Sequence, residues 1–134
     1  ILSAKLLEAQ NRGISISVEV EEPISNFRIE LLDFITVLSV LCDNAIEAAA
    51  ETISPKMTVV FINNDNSLVL IVENSIKSEK VEVSHIFVRG HSSKGEGRGI
   101  GLYNVNSILE KYPKSTITTR SANHLFSQTI RFCK

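Results

Sequence analysis

A two-layer α/β sandwich, an α+β fold in which helices cover one face of a mixed β-sheet, is the architecture that this 134-residue chain predicts. Two observations carry it. Helical and strand periodicities follow one another in the order α-β-α-β-β-loop-α-β-β. Two apolar strand segments, MTVVFIN and SLVLIVEN, are separated only by a turn-forming cluster and read as a hairpin. The length suits one domain, and the 43% apolar and 22% charged residues suit a soluble globular core.

Each element follows from its own pattern. Leu2 to Arg12 is expected to be helical, with Leu2, Leu6, Leu7 and Ala9 on one side and Gly13 as its stop. ISISVEVE (14–21) alternates as a half-buried strand does. The longest helix spans Ile29 to about Glu51, with Leu31, Ile35, Leu38, Cys42, Ala45 and Ala49 as its apolar stripe. Strands at 57–63 and 67–74 follow Pro55. Residues 75–97 show no sustained period, and a loop with one helical turn near Val83 to Val88 is expected. A helix resumes from about Gly99 to Lys111 on Leu102, Val105, Ile108 and Leu109, and Pro113 closes it. STITTR (115–120) and LFSQTIRF (125–132) are expected to be strands flanking SANH.

Composition excludes several classes of partner. A formal net charge of −1 gives no bulk attraction to nucleic acid or to a membrane surface. No apolar run reaches the length of a membrane span. Cys42 and Cys133 form no disulfide framework and no metal-ligand spacing, which suits a reducing compartment. The opening Ile1, already in helical period, is read as the start of a piece of something longer.

Two stretches carry chemistry. The first is HSSKGEGRGIGLYNV (91–105), where Gly97, Gly99 and Gly101 alternate beside Lys94 and Arg98 ahead of a helix. Bare backbone N–H groups, a helix N-terminus and two cations suit phosphate oxygens; a hinge or a capped surface loop is the other reading. Gly90 to Gly95 has P-loop spacing, but Glu96 stands where lysine is required. Leu102 stands where a dinucleotide fingerprint needs glycine, and no strand directly precedes Gly97. The second stretch is LCDNAIEAA (41–49), inside the longest helix. Asn44 is a poor helix-interior residue at the edge of the apolar stripe. Asp43 and Glu47 share a face at a cost of a few tenths of a kcal/mol, which a bound cation would offset. A solvated acidic face with a structural Asn is the alternative. Taken together, oxygen ligands from a helix and a basic glycine loop are the two halves of a Mg-nucleotide site.

DNAIEA on a helix, a strand ending in Glu73-Asn74, and then F-x-x-G-x-S-S-K-G-x-G-R-G-x-G-L resembles the GHKL ATPase/kinase superfamily, whose fold is also called the Bergerat fold. That superfamily includes gyrase, MutL and the catalytic domains of sensor histidine kinases. The likeness spans nearly the whole chain and is strongest to the AgrC-type quorum-sensing kinases. It implies ATP and Mg²⁺ as cofactors, with Asn44 as the metal ligand of the N-box and Glu47 beside it. Asn74 matches the position that reads the adenine amine, with Glu73 as the alternative one residue earlier. Phe87 matches the F-box aromatic, and Gly97, Gly99 and Gly101 match the glycines on the phosphates. Lys94 and Arg98 would position the terminal phosphates in an ATP lid, and no covalent catalytic residue is implied.

Three departures refine the implication. Val40 stands where related ATPases carry a water-activating glutamate, which favours transfer to an imidazole over hydrolysis. The usual D-x-G-x-G is reduced to Asn74-Ser75-Ile76, and a neutral acceptor implies loose ATP binding. None of His85, His91 and His124 sits in an acceptor pattern. The phospho-acceptor is therefore expected on upstream dimerisation helices, with Ile86 and Val88 of the lid as docking residues and a response regulator as the next partner. The implied setting is the cytoplasmic part of a cell-membrane receptor, without membrane contact by this domain. A degenerate docking module and a serine kinase of the same superfamily are the rival readings.

Overall fold

Periodicity and turn chemistry shape α1 (Leu2–Asn11), β1 (Ser15–Glu21), α2 (Leu31–Ala50), β2 (Lys56–Asn63), β3 (Ser67–Ser75), α3 (Ile100–Leu109), β4 (Ser115–Ala122) and β5 (Leu125–Cys133). The computed structural model describes residues 2–21, 29–63, 67–77 and 100–133. The strands form one sheet in the order β1-β2-β3-β5-β4, with β1 parallel to β2 and the other pairs antiparallel. This is the mixed sheet that the element order predicts. The three helices lie on one of its faces, with α2 packed against both α1 and α3. No described helix is long and apolar enough to cross a membrane.

Alternation along the strands decides which side chains meet the helices. Met57, Val59 and Phe61 of β2, Leu68, Leu70 and Val72 of β3, and Ile130 and Phe132 of β5 join one buried cluster with α2. In register, Leu70 stands opposite both Phe61 and Ile130, at the centre of that layer. The intervening residues of β3, Val69, Ile71 and Glu73, project from the other face.

Two expected stripes are displaced. In α2 the buried residues are Phe34, Val37, Leu38, Leu41, Cys42, Ala45, Ile46 and Ala49, with Asp33 beside them. Leu31 is 59% exposed and Ile35 only half-buried, so both leave the core expected for them. A helix filling a layer beside a sheet buries a face wider than a single i, i+3/i+4 line, and that wider face is centred one residue away from Leu31 and Ile35. In α1, Ala9 is buried but Leu7 is 58% exposed. Leu7 lies about 100° around the helix from Leu6 and so misses the sheet.

The ends of the elements have local causes. Gly13, at φ +79°, takes the left-handed conformation that stops α1, and its N–H returns to Gln10 O at 3.0 Å. SANH resolves into a tighter turn than its composition suggests. Ser121 and Ala122 stay in β4, and only Asn123 (φ 54°) and His124 (φ 61°) turn, as a two-residue hairpin of the primed type requires. His124 is exposed. Cys42 is fully buried as a small core residue, and desolvation pushes its thiol up to about 12.

A polar clamp joins the end of α3 to the start of α2. Tyr112 Oη donates to Asp33 Oδ2 at 2.6 Å and accepts from Glu30 N at 3.1 Å, while Lys111 Nζ reaches Asp33 Oδ1 at 3.5 Å. The Tyr112 ring packs edge-on against Phe132, centroids 6.2 Å apart. Burial first, and then the bond to Asp33, hold the Tyr112 hydroxyl above its ordinary pKa. A raised folded-state value contributes stability that is complete below about pH 10 and is lost as pH rises through that value. Tyr112→Phe is expected to lower stability by about 1–2 kcal/mol at pH 7, since it strips Asp33 of its best partner. Thermal melts from pH 7 to 11 should show the gap between wild type and variant narrowing above pH 10.

Candidate functional site

Helix geometry separates the two polar residues of LCDNAIEAA. At about 100° per residue, Asp43 and Asn44 fall on opposite edges of the buried face of α2. Asp43 turns toward α1, where Lys5 Nζ meets its Oδ1 at 2.5 Å. That hydrogen bond is the main reason the Lys5 ammonium is held above its usual pKa. The cation expected to offset the Asp43–Glu47 pair is thus supplied at Asp43 by a lysine of α1. Among the described residues no cluster of three or more His, Cys, Asp or Glu could hold a metal. Asn44 is half-buried on the opposite edge, the one turned from α1 toward α3, and Glu47, one turn on, is half-buried too.

The Tyr112 clamp sets the level of α3 along α2. It fixes the C-terminal end of α3 at Glu30 and Asp33, so the two helices run antiparallel. Counting back from Tyr112 to Gly101 crosses roughly 16 Å at 1.5 Å per residue. The same count forward along α2 from Asp33 arrives at Asn44. The first turn of α3, which contains Gly101, therefore lies at the level of Asn44.

Asn74 approaches α2 from the sheet. It is 3% exposed, and its register partners are Met57 and Phe126. By alternation it shares the helix-covered face with Leu70 and Val72, whereas Glu73, opposite Thr58 and Ser127, lies on the other. Of the two residues considered for one role, only Asn74 faces α2. Its Nδ2 donates to Ser75 O at 3.0 Å. Ser75 Oγ in turn lies 3.0 Å from Thr52 Oγ1, just past the end of α2. Asn44 precedes Thr52 by eight residues, on the order of 12 Å along the chain if helical rise is extended to Thr52, so Asn44 and Asn74 stand at different levels of α2.

Two amide side chains and a helix N-terminus can accept from an amine, ligate a hard cation through oxygen, and offer N–H groups to an anion. Val40, on the same side of α2 as Asn44, packs against the core and supplies no base. Phe87, Lys94, Gly97, Arg98 and Gly99 lie outside the described residues, as do His85, Ile86, Val88 and His91. Sequence reasoning missed the Thr52–Ser75 contact. The hydroxyl residues just after α2 and at the end of β3 are its only trace in the sequence, because the contact spans 23 positions.

Comparison with known proteins agrees with this architecture. Residues 29–133 match the model of the GHKL domain family. The chain is 34% identical over 117 residues to the Sensor protein CitS of Bacillus subtilis, covering 83% of this chain and 21% of that protein. It is 29% identical over 117 residues to a probable C4-dicarboxylate sensor kinase of Halalkalibacterium halodurans, covering 83% of this chain and 22% of that one. The chain thus spans about a fifth of the length of the curated relatives it matches. Neither name carries the quorum-sensing subtype that the resemblance implied. Among solved structures, the catalytic domain of histidine kinase ThkA superposes with a TM-score of 0.82 at 20% identity, over 98% of this chain and 86% of that one. With the sheet order, the helix layer and the family match in agreement, the chain belongs to the GHKL domain family and has the fold of a histidine kinase catalytic domain.

Proposed function

We propose that this chain binds Mg-ATP and transfers its γ-phosphoryl group to a histidine on a separate dimerisation module of a sensor histidine kinase. The observation that supports the reading is that Asn74 faces the helix layer beside the C-terminal end of α2, the helix that carries Asn44, while the first turn of α3 lies level with Asn44. In this reading Asn74 accepts from the exocyclic amine of adenine, and Asn44 holds Mg²⁺ with Glu47 beside it. Lys94, Gly97, Arg98, Gly99 and Gly101 serve the phosphates. Mg²⁺, when bound, would neutralise charge between the phosphates.

In the transfer the bond from Pγ to its bridging oxygen breaks, a P–N bond forms, ADP leaves, and the imidazole gives up its proton. The domain contributes position and charge rather than a covalent intermediate. Val40 supports an imidazole acceptor, because an apolar side chain packed on the core cannot activate water. The acceptor helices and a response regulator are the proposed partners, and a cytoplasmic place in a membrane receptor is the proposed setting. The quorum-sensing branch draws no support from the relatives, so the reading stops at a sensor kinase.

Asn74, a neutral residue where the family pattern has aspartate, gives the docking-module reading its one specific support. Calorimetry of the chain with Mg-ATP separates the two. A Kd on the order of 0.1–1 mM is expected, about −4 to −5.5 kcal/mol. No heat of binding at several millimolar nucleotide would favour the docking module.

A further inference from the structure

A sheet covered on one side alternates apolar residues toward the cover with polar residues toward water. On the face away from the helices, one row in register across the sheet reads Glu19, Val60, Ile71, Thr129, Thr118. Its flanks keep the polar rule, and its middle breaks it. The next row repeats the break, with Ile62 opposite Val69, so β2 and β3 turn a two-by-two apolar block outward. The described helices all lie on the opposite face, and Val69 stands outside the buried cluster they share with the sheet. Val69 is 5% exposed, flanked in register by the longer side chains of Ile62 and Arg131. Val60, Ile62 and Ile71 are half-buried.

The two sides of this block carry opposite charge. The order β1-β2-β3-β5-β4 puts Glu19 on one edge strand and Arg120 on the other, with β3 midway. Both are exposed. Four strand spacings, roughly 19 Å, keep them from pairing within one chain. A two-fold axis along β3, between two such faces, sets β1 of each copy over β4 of the other. Glu19 then stands about 7 Å along the strand from Arg120 of the second copy. The usual rotation of about 30° between stacked sheets swings the edge strands by roughly 5 Å, the size of shift that brings the two side chains together.

We propose that two copies of this chain dimerise through these sheet faces, with Ile71 against its own copy on the axis and Glu19 paired with Arg120 of the second copy at each edge. The helix layers, and with them Asn44, face outward in both copies, so the dimer stands independently of the nucleotide reading. Strand spacing and rise give a face of about 24 by 25 Å, on the order of 600 Å² from each copy. That is the low end for a specific interface, and a Kd of roughly 10–100 μM is expected. Glu73, on β3 near the same axis, faces its own copy and weakens the contact.

Sedimentation equilibrium of the chain, from about 5 μM to about 1 mM at low salt, reads the association. Ile71→Lys sets two like charges together on the axis and should leave the chain monomeric throughout. Glu19→Arg and Arg120→Glu should each weaken the dimer by about tenfold, because a two-fold interface feels every substitution twice. Mixing those two variants one to one should recover wild-type affinity as a heterodimer, since both edges regain opposite charges. A role of either residue within its own chain would not produce that recovery. Glu73→Gln should tighten the dimer. Thermal melts of each variant report folding separately. A wild-type monomer at 1 mM, a dimer that Ile71→Lys leaves intact, or no recovery in the mixture overturns the proposal. Mg-ATP titration of Ile71→Lys reads the nucleotide site independently, and loss of binding by wild type would overturn that reading alone.

Discussion

Asn44→Ala is expected to lower phosphotransfer in the full-length kinase by about 100-fold, the scale of losing a metal-orienting or charge-stabilising group. Folding should be nearly unaffected. Asn44 is half-buried at the edge of α2, and alanine is the better helix former by about half a kcal/mol, which offsets a lost hydrogen bond of similar size. A melting temperature close to wild type together with lost transfer would mark a functional residue. Asp43→Ala is the internal control. Asp43 is bound to Lys5 on the opposite edge of the helix, at a pair whose two side chains are 21% and 44% exposed. Solvent screening keeps such a pair below about 1 kcal/mol, and transfer should persist. Unchanged Mg-ATP affinity and transfer in Asn44→Ala would remove the metal assignment.

Leu70→Ala is expected to cost about 3–4 kcal/mol, a large share of the stability of a domain this size. Leu70 has no exposed surface and sits in the central strand, flanked in register by Phe61 and Ile130, with α2 above it. β-Sheet backbone cannot collapse into the space as a loop would, so the cavity term adds to the lost transfer energy. Leu31→Ala removes the same atoms from a side chain 59% exposed and should change stability by less than about 1 kcal/mol. Urea titration of both variants reads the difference directly. Similar midpoints for the two would contradict the placement of the core.

The contrast between Leu70 and Leu31 shows where sequence reading reaches its limit. Both are leucines in strongly periodic segments, and periodicity alone places both inside. In β3 the period of two leaves one choice of face, and a run of apolar residues flanked by turns makes that choice safe. In α2 several neighbouring stripes fit the same apolar residues, and only the docking of the helix on the sheet selects Phe34 and Leu41 over Leu31 and Ile35. Leu7 was misplaced for the same reason.

Local chemistry determined the rest of what was legible. Element order, the β2–β3 hairpin and the stop at Gly13 all depend on neighbours a few positions apart, and the sequence by itself determined them. The tertiary structure decided what depends on distant partners. It gave Asp43 to Lys5, 38 positions away, and Tyr112 to Asp33, 79 positions away. It turned Asn74 rather than Glu73 toward the helices, and it joined Ser75 to Thr52 just past the end of α2. Periodicity records which face of an element is apolar; which polar group meets which is decided only when the faces close.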